Sequence, residues 1–154
     1  MFVKAERLLI RKFEFKDWQA VHEYTSDINV MKYIPEGIFT EEDTRNFVNE
    51  NIGKNAKNFP VVLIDEDILI GHIVFHKYFG EHTYEIGWVF NQKYCNKGYA
   101  SEAAQATLKY GFKEMKLHRV IDTCQPQNIP ILSSNGEDWN EKRRIFQEVY
   151  TTWE

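Results

Sequence analysis

The sequence predicts one α+β domain, on three observations. The chain has 154 residues, of which 43% are hydrophobic, so it is long enough to bury a single hydrophobic core. Strand-like runs follow one another through the middle of the chain, at residues 59–64, 69–78 and 83–90. A long run with apolar residues at helical spacing comes after them, at residues 98–115. The predicted order of elements is β-α-α-β-β-β-α-β.

The N-terminal part begins with a strand and continues with two helices. Leu8 and Ile10 alternate with polar neighbours in residues 7–13, a pattern typical of a strand. Asp17 is a plausible helix cap, because apolar residues follow it at helical spacing: Trp18, Val21 and Tyr24. Residues 40–43 read Thr-Glu-Glu-Asp, which resembles a capping box and predicts a second helix through about residue 49.

The middle and C-terminal elements are predicted from the same two patterns, alternation for strands and helical spacing for helices. The acidic turn at residues 65–67 predicts that its flanking runs form a hairpin. Within residues 98–115 one helical face is apolar, formed by Ala100, Ala104, Leu108, Phe112 and Met115. Residues 118–124 read as a buried strand that Pro126 ends.

Composition and charge exclude several classes of function. The formal net charge is −4, so no basic surface points to nucleic acid. No apolar run approaches the roughly 20 residues that span a membrane, and the N-terminus is too charged for a secretory signal, so we expect a cytoplasmic protein. Cys95 and Cys124 have neither paired-motif nor metal-ligand spacing, which predicts free thiols and no metal site.

The segment YCNKGYASEA, residues 94–103, connects a predicted strand to the long helix. A helix N-terminus offers unpaired N–H groups and the positive end of the helix dipole, which attract anions. Gly98 lets the backbone approach a ligand, Ala100 adds little bulk, and Lys97 adds a positive charge. These residues alone leave two interpretations open: a plain turn, and a cradle for a phosphate.

The longer segment EIGWVFNQKYCNKGYASEAAQATLKYGF, followed by LHRVIDTCQPQNIP, resembles the GNAT superfamily of acyl-CoA-dependent N-acetyltransferases, and most closely its ribosomal-protein N-terminal (Rim-type) branch. That family carries R/Q-x-x-G-x-G/A at its pyrophosphate loop, often as W-G-x-G-Y-A-[ST]-E-A in this branch. The match is close from Gly98 onwards, whereas Cys95 and Asn96 replace the usual Trp and Gly. The resemblance covers about residues 6–130.

The resemblance implies a GNAT-like fold, with a mixed, mainly antiparallel central sheet flanked by helices, and acetyl-CoA as the acetyl donor. Val89 and Phe90 would then expose backbone groups to the pantetheine arm, and Asn128 would contact the cofactor near its reacting end. Read without the resemblance, Asn128 is a turn residue before Pro130. The implied CoA-binding residues are Val89, Phe90, Cys95, Asn96, Lys97, Gly98, Tyr99, Ala100, Ser101 and Asn128.

The implied reaction is direct attack of a primary amine, a protein N-terminal α-amine or a small amine, on the acetyl thioester. An α-amino group has a pKa of about 7.7–8.0, so roughly a tenth is neutral near pH 7 and a modest base suffices. Glu85 is the predicted base, because this branch has an acidic residue at the matching place in EIG; the alternative is an exposed strand carboxylate. The strand and surface histidines are each expected to be structural: His72, His76, His82 and His118.

The C-terminal tail departs from the family. After N-I-P this branch normally continues with S-S-R-V-M-E-K-x-G-M and then closing strands, whereas this chain reads ILSSNGEDWNEKRRIFQEVYTTWE. Codons that encode residues 131–144 can, when read one base later, give SSRVMEKIGMRKE, and Trp139 before Asn140 forces the glycine codon in that frame. We therefore hypothesise a one-base frameshift near Ile131, which sequencing of the gene would test.

A shifted frame has consequences for assembly and activity. The family's final helix and strands would be altered or missing, and an uncovered sheet edge invites pairing with another chain. The chain is then one domain with a family-like part at residues 1–130 and an atypical tail at 131–154, present as a monomer or as a homodimer formed through that tail or edge. Ser133 and Ser134 are the predicted substitutes for the hydroxyl that protonates the leaving thiolate, with Ser133 as the predicted catalytic residue. The alternative function is a catalytically impaired acyl-CoA-binding domain whose tail mediates self-association.

Overall fold

The computed structural model describes residues 1–122, which form one six-stranded sheet with helices on both faces. The strands are β1 (Val3–Lys4), β2 (Leu8–Ile10), β3 (Asn58–Leu63), β4 (Ile68–Phe79), β5 (Thr83–Phe90) and β6 (Arg119–Asp122). They lie in chain order, and each neighbouring pair is antiparallel except β5 and β6, which are parallel. The predicted mixed, mainly antiparallel α+β fold is confirmed.

The helices are inserted at two places in this order. Between β2 and β3 lie α1 (Trp18–Thr25), α2 (Ile28–Met31) and α3 (Glu41–Glu50). Between β5 and β6 lies α4 (Tyr99–Lys113), the crossover that a parallel strand pair requires. The sequence predicted α1, α3 and α4 but not β1 or α2, because segments of two and four residues carry too little periodicity to be recognised.

The sheet is buried on both faces, and each face has its own apolar cluster. On one face α4 contributes Leu108 and Phe112, which pack with Ile73 and Phe75 of β4. On the other face α1 and α3 pack against β3 and β4 through a second cluster: Val21, Tyr24, Val48, Val62 and Leu69. A strand buried on both sides needs apolar residues at successive positions, which explains why the β3 segment PVVL does not alternate.

Asp17 has a different role from the predicted one. It precedes α1, as expected, but its side chain makes no cap hydrogen bond to that helix. Instead, Asp17 accepts two hydrogen bonds from the Arg11 guanidinium, at 2.8 and 2.9 Å, and one from the Glu14 main-chain N–H at 2.7 Å. Hydrogen bonding to Asp17 raises the pKa of Arg11. The carboxylate therefore fixes the chain reversal between β2 and α1.

The capping box that opens α3 is present. Asp43 donates its main-chain N–H to Thr40 Oγ1 at 3.1 Å, and Asp43 Oδ2 accepts the Thr40 N–H at 2.9 Å. The Thr40 N–H and hydroxyl together lower the pKa of Asp43. Two of the donors at this helix start are thereby satisfied.

We expect Thr40→Ala to lower the free energy of unfolding by about 1 kcal/mol, because it removes the acceptor for an N–H at the helix start. Urea denaturation measures this change. Thr40→Ser keeps the hydroxyl and is expected to stay within a few tenths of a kcal/mol of the wild type. Equal losses in the two variants would contradict a role for the hydroxyl.

The C-terminal predictions lie largely outside the described residues. The predicted strand at residues 118–124 corresponds to β6, which the structure follows to Asp122. Asn128, Ser133 and the tail at 131–154 lie beyond that point, so their predicted roles, the frameshift and the self-association stay predictions. Within residues 1–122, no helix has both the length and the apolar character that crossing a membrane requires.

Candidate active site

β5 lies between β4 and the described part of β6. The described β5–β6 pairing runs from Thr83–Arg119 to Ile86–Asp122. Beyond it, Val89 and Phe90 pair with β4 on the other side of β5. The second half of β5 leads to the start of α4.

The connection from β5 to α4 contains two left-handed residues. Asn96 has a φ of 63° and Gly98 a φ of 78°, and Gly98 is the N-cap of α4 without any side-chain cap. The first intrahelical bond joins the Glu102 N–H to the Gly98 carbonyl at 3.0 Å. The amides of Tyr99 and Ala100 consequently lie in the first turn, where the helix itself offers no acceptor. Such a turn presents N–H groups on one concave side, the arrangement that binds anions.

Arg7 braces this helix start. It donates from its main-chain N–H to Glu102 Oε1 and from Nε to Oε2, both at 2.7 Å, and from Nη1 to the Lys97 carbonyl at 3.1 Å. Its guanidinium carbon also lies 4.5 Å from the centroid of the Tyr99 ring. Glu102 is thereby neutralised in the first turn of α4, where its charge would otherwise oppose a bound anion. The two residues are 95 positions apart, so no local sequence signal could identify this pair.

Cys95 contributes to the structure of the turn that precedes α4. The thiol is half buried, and burial raises its pKa, so it remains protonated at neutral pH. Its Sγ–H donates to the Asn91 carbonyl at 3.7 Å. Asn91 in turn opens the one-turn 3₁₀ helix at Gln92–Tyr94, accepting the Lys93 N–H at 3.1 Å. The cysteine thus helps to hold the turn before Asn96.

A cleft runs along the second half of β5 and reaches the start of α4. Its volume is about 1370 Å³, which exceeds the roughly 300–1,000 Å³ of a typical ligand pocket. Asn96 and Ala100 line its end at α4. Five carboxyl groups line it elsewhere, from Glu36, Asp43, Glu50, Glu85 and Asp122, against the single positive charge of Lys57 among its described lining residues. The cleft is therefore acidic.

Glu85 lies on the cleft wall, directly opposite His76 of β4. Its Oε2 lies 3.3 Å from His76 Nε2, and both side chains are about one-fifth exposed. Alternate residues of a strand share a face, and Val89 of β5 packs in the cluster formed with α1 and α3. Glu85, four residues earlier in the same strand, therefore lies on that face. The carboxylate thus contacts His76 and lines the cleft.

The structure brings most of the predicted site residues within the described range to one cleft: Glu85, Val89, Phe90, Cys95, Asn96 and Ala100. Gly98 and Tyr99 lie at the adjoining helix start, whereas Lys97 turns its ammonium group towards the Tyr94 ring, 5.8 Å from the centroid. Sequence reasoning missed Arg7 and assigned no function to His72, which also lines the cleft.

Known proteins resemble this chain in sequence and in fold. The profile of the acetyltransferase (GNAT) domain matches residues 7–133. The uncharacterized N-acetyltransferase YnaD of Bacillus subtilis is 77% identical over 130 residues, which cover 84% of this chain and 76% of that protein. A GNAT-family acetyltransferase of Bacillus anthracis, solved as a crystal structure, is 80% identical and superposes with a TM-score of 0.82 over 88% of this chain and 82% of that one.

The Rim-type branch appears among more distant structures. RimL, a ribosomal α-N-protein acetyltransferase solved in complex with coenzyme A, superposes with a TM-score of 0.71 at 15% identity, covering 87% of this chain and 80% of that one. At this identity the likeness concerns the fold. The family profile and the two close relatives concern the sequence itself, and together they show that this chain is an N-acetyltransferase that belongs to the GNAT family.

Proposed function

We propose that this enzyme transfers an acetyl group from acetyl-CoA to a primary amine by direct attack of the amine on the thioester. The observation that carries the proposal is the continuity of one cleft from Glu85 on β5 to Ala100 in the first turn of α4. If the diphosphate of the cofactor lies at that turn, its pantetheine arm can extend along the second half of β5. The thioester at the end of that arm would then meet an acceptor amine near Glu85.

The start of α4 fits a diphosphate. The amides of Tyr99 and Ala100 lie in the first helical turn, preceded by the left-handed Gly98. Arg7 offsets the charge of Glu102 and adds a positively charged side chain that is 44% exposed. The RimL structure, which shares this fold, contains coenzyme A. We infer that this turn binds the diphosphate of acetyl-CoA and that the backbone of Val89 and Phe90 meets the pantetheine arm.

The acidic lining of the cleft favours an amine acceptor. Carboxylates outnumber positive charges among the described lining residues, and a cleft of one sign concentrates ligands of the opposite sign. An amine arrives mainly as an ammonium ion and must become neutral before it attacks. Glu85 is the proposed base and accepts this proton directly or through one water.

The bonds exchanged in the proposed reaction balance without a further reactant. The amine nitrogen forms a bond to the thioester carbon, and the carbon–sulfur bond breaks. Starting from the ammonium ion, the nitrogen loses one proton to Glu85 before the attack, and Glu85 then passes it to solvent. The nitrogen loses a second proton from the tetrahedral intermediate, and the departing CoA thiolate gains one, so one proton is released overall. The products are an amide and free CoA.

Two measurements test the proposal. Acetyl-CoA is expected to raise the melting temperature of the full chain by mass action, and release of free thiol is expected with at least one member of a panel of peptides and small amines. Stabilisation without thiol release would instead support an impaired acyl-CoA-binding domain. Absence of stabilisation by any CoA compound would contradict both functions.

Gly98→Val is expected to weaken acetyl-CoA binding about tenfold, because a β-branched residue disfavours the left-handed conformation and shifts the first turn of α4. Isothermal titration calorimetry measures the dissociation constant. Gly80→Val is the matched control: Gly80 also has a positive φ, 61°, and an added Cβ there has no neighbour within 4 Å. If the two variants bind acetyl-CoA with wild-type affinity, the diphosphate assignment is wrong.

A further inference from the structure

A buried polar pair lies beside the acidic cleft. His72 on β4 is 5% exposed and Tyr24 on α1 is 1% exposed, and Tyr24 Oη lies 2.7 Å from His72 Nδ1. The Phe47 ring packs against the imidazole with a centroid distance of 5.1 Å. Neither polar residue takes part in the reaction proposed above, yet His72 lines the cleft.

The protonation state of this pair follows from its surroundings. Burial lowers the pKa of His72 to about 3, so the imidazole is neutral and carries a single N–H. Burial also raises the pKa of Tyr24 well above its usual value, so the phenol keeps its proton. Within residues 1–122, Tyr24 Oη has no hydrogen-bond partner besides His72. The phenol therefore donates to Nδ1, and the proton of the imidazole is on Nε2.

The Nε2–H group faces the cleft. In the part of the chain that the structure describes, Nε2 has no hydrogen-bond partner, and no fully buried side-chain nitrogen or oxygen lacks one. Nε2 must consequently retain contact with solvent. Because His72 is otherwise enclosed by α1, α3 and the sheet, that contact is with the cleft. His72 thus presents an uncharged N–H donor, held in place by Tyr24, to a cleft lined by carboxylates.

His72 and Glu85 lie on the same face of the sheet. His72 is opposite Val89, and His76, four residues further along β4, is opposite Glu85. Four residues of a strand span about 13 Å. Three residues of an extended peptide cover about 10 Å, and a hydrogen bond of about 3 Å completes the distance. Val89 belongs to the apolar cluster on the α1 and α3 face, whereas α4 packs on the opposite face. His72 therefore lies on the same face of the sheet as Glu85, where the acceptor amine is proposed to bind.

We propose that His72 Nε2–H determines acceptor specificity by donating a hydrogen bond to a carbonyl oxygen of the acceptor, so that the enzyme selects peptide N-termini over polyamines. This inference rests on the proposed function. The carboxylates of the cleft attract either class of amine, but a polyamine carries only N–H donors in its charged state and leaves Nε2–H without a partner. A site built to form a hydrogen bond rejects ligands that lack the matching group.

The kinetic test uses two substitutions that separate the ring nitrogens. His72→Asn places its amide near the position of Nδ1 and removes the donor at Nε2, whereas His72→Gln extends an amide N–H to about the position of Nε2. We expect His72→Asn to lower kcat/KM for trialanine amide about tenfold and to leave kcat/KM for a linear triamine of similar length within threefold. His72→Gln is expected to recover the trialanine amide value to within threefold of the wild type.

Equal losses for the two acceptors in His72→Asn would overturn the specificity role and leave a structural histidine. An unchanged shift of melting temperature with acetyl-CoA verifies that each variant is folded and binds the donor substrate. Turnover of neither acceptor by the wild type would count against the proposed function rather than against the His72 assignment.

A second measurement does not depend on turnover. In histidine-labelled protein, 15N NMR is expected to show His72 in the Nε2–H form at pH 7, and trialanine amide is expected to shift that Nε2 resonance while the triamine does not. An Nδ1–H form, or the same response to the two compounds, would overturn the proposal.

Discussion

Gly71→Ala is expected to lower the free energy of unfolding by about 3 kcal/mol, because β4 and β5 approach too closely at this position for a side chain. A Cβ on Gly71 would lie 2.5 Å from the Val89 carbonyl oxygen and 2.8 Å from the Phe90 ring. Since the first contact is with main-chain atoms, the neighbouring strand itself must move. Urea denaturation measures the loss of stability, and calorimetry with acetyl-CoA measures the accompanying loss of affinity.

Gly87→Ala is the matched control for this substitution. Gly87 lies in β5 of the same strand pair, and a Cβ there would be 3.6 Å from the Val74 Cβ, an ordinary van der Waals contact. We expect a change of less than about 1 kcal/mol, as for a substitution without a clash. If Gly71→Ala lowers the free energy of unfolding no more than Gly87→Ala does, β5 can move at Val89. A fixed path for the pantetheine arm along β5 is then contradicted.

Local sequence patterns predicted the parts of this fold that local physics decides. The α3 capping box joins residues three positions apart, so the residue types at Thr40 and Asp43 are enough to predict it from the local sequence. Gly98 was predicted to let the backbone approach a ligand, and the structure gives it a left-handed φ of 78°, which glycine adopts at low cost. The boundaries of β5 were predicted to the residue, since turn signals flank its apolar pattern on either side.

Competing local contacts and contacts distant in sequence account for what was missed. Asp17 has the right residue type for a helix cap, but Arg11 and the Glu14 N–H compete for its carboxylate and prevail. Tyr24 and His72 are 48 positions apart, so their hydrogen bond, on which the proposed role of His72 depends, forms only when the fold brings them together. The local sequence around a strand histidine does not show whether the ring forms its hydrogen bonds within the core or faces a cleft.

Glu85→Gln is expected to lower kcat about 100-fold at pH 7, near the lower end of the range for general acid–base catalysis, and to leave acetyl-CoA affinity unchanged. The neutral amide keeps the shape of the carboxylate but accepts no proton from the amine. Thiol release under saturating acetyl-CoA measures turnover. His76→Gln, which removes only the partner 3.3 Å from the carboxylate, is the control and is expected to stay within about tenfold of the wild type.

The pH dependence distinguishes a base from a merely structural carboxylate. At pH 9 most of an α-amine with a pKa of about 7.7–8.0 is already neutral, so less proton removal is required of the enzyme. The deficit of Glu85→Gln is therefore expected to shrink towards pH 9 with an α-amine acceptor, and to shrink less with an alkylamine of pKa near 10.4, the lysine value. An equal deficit at the two pH values would assign Glu85 to positioning, and an equal rate at pH 7 would remove it from the reaction.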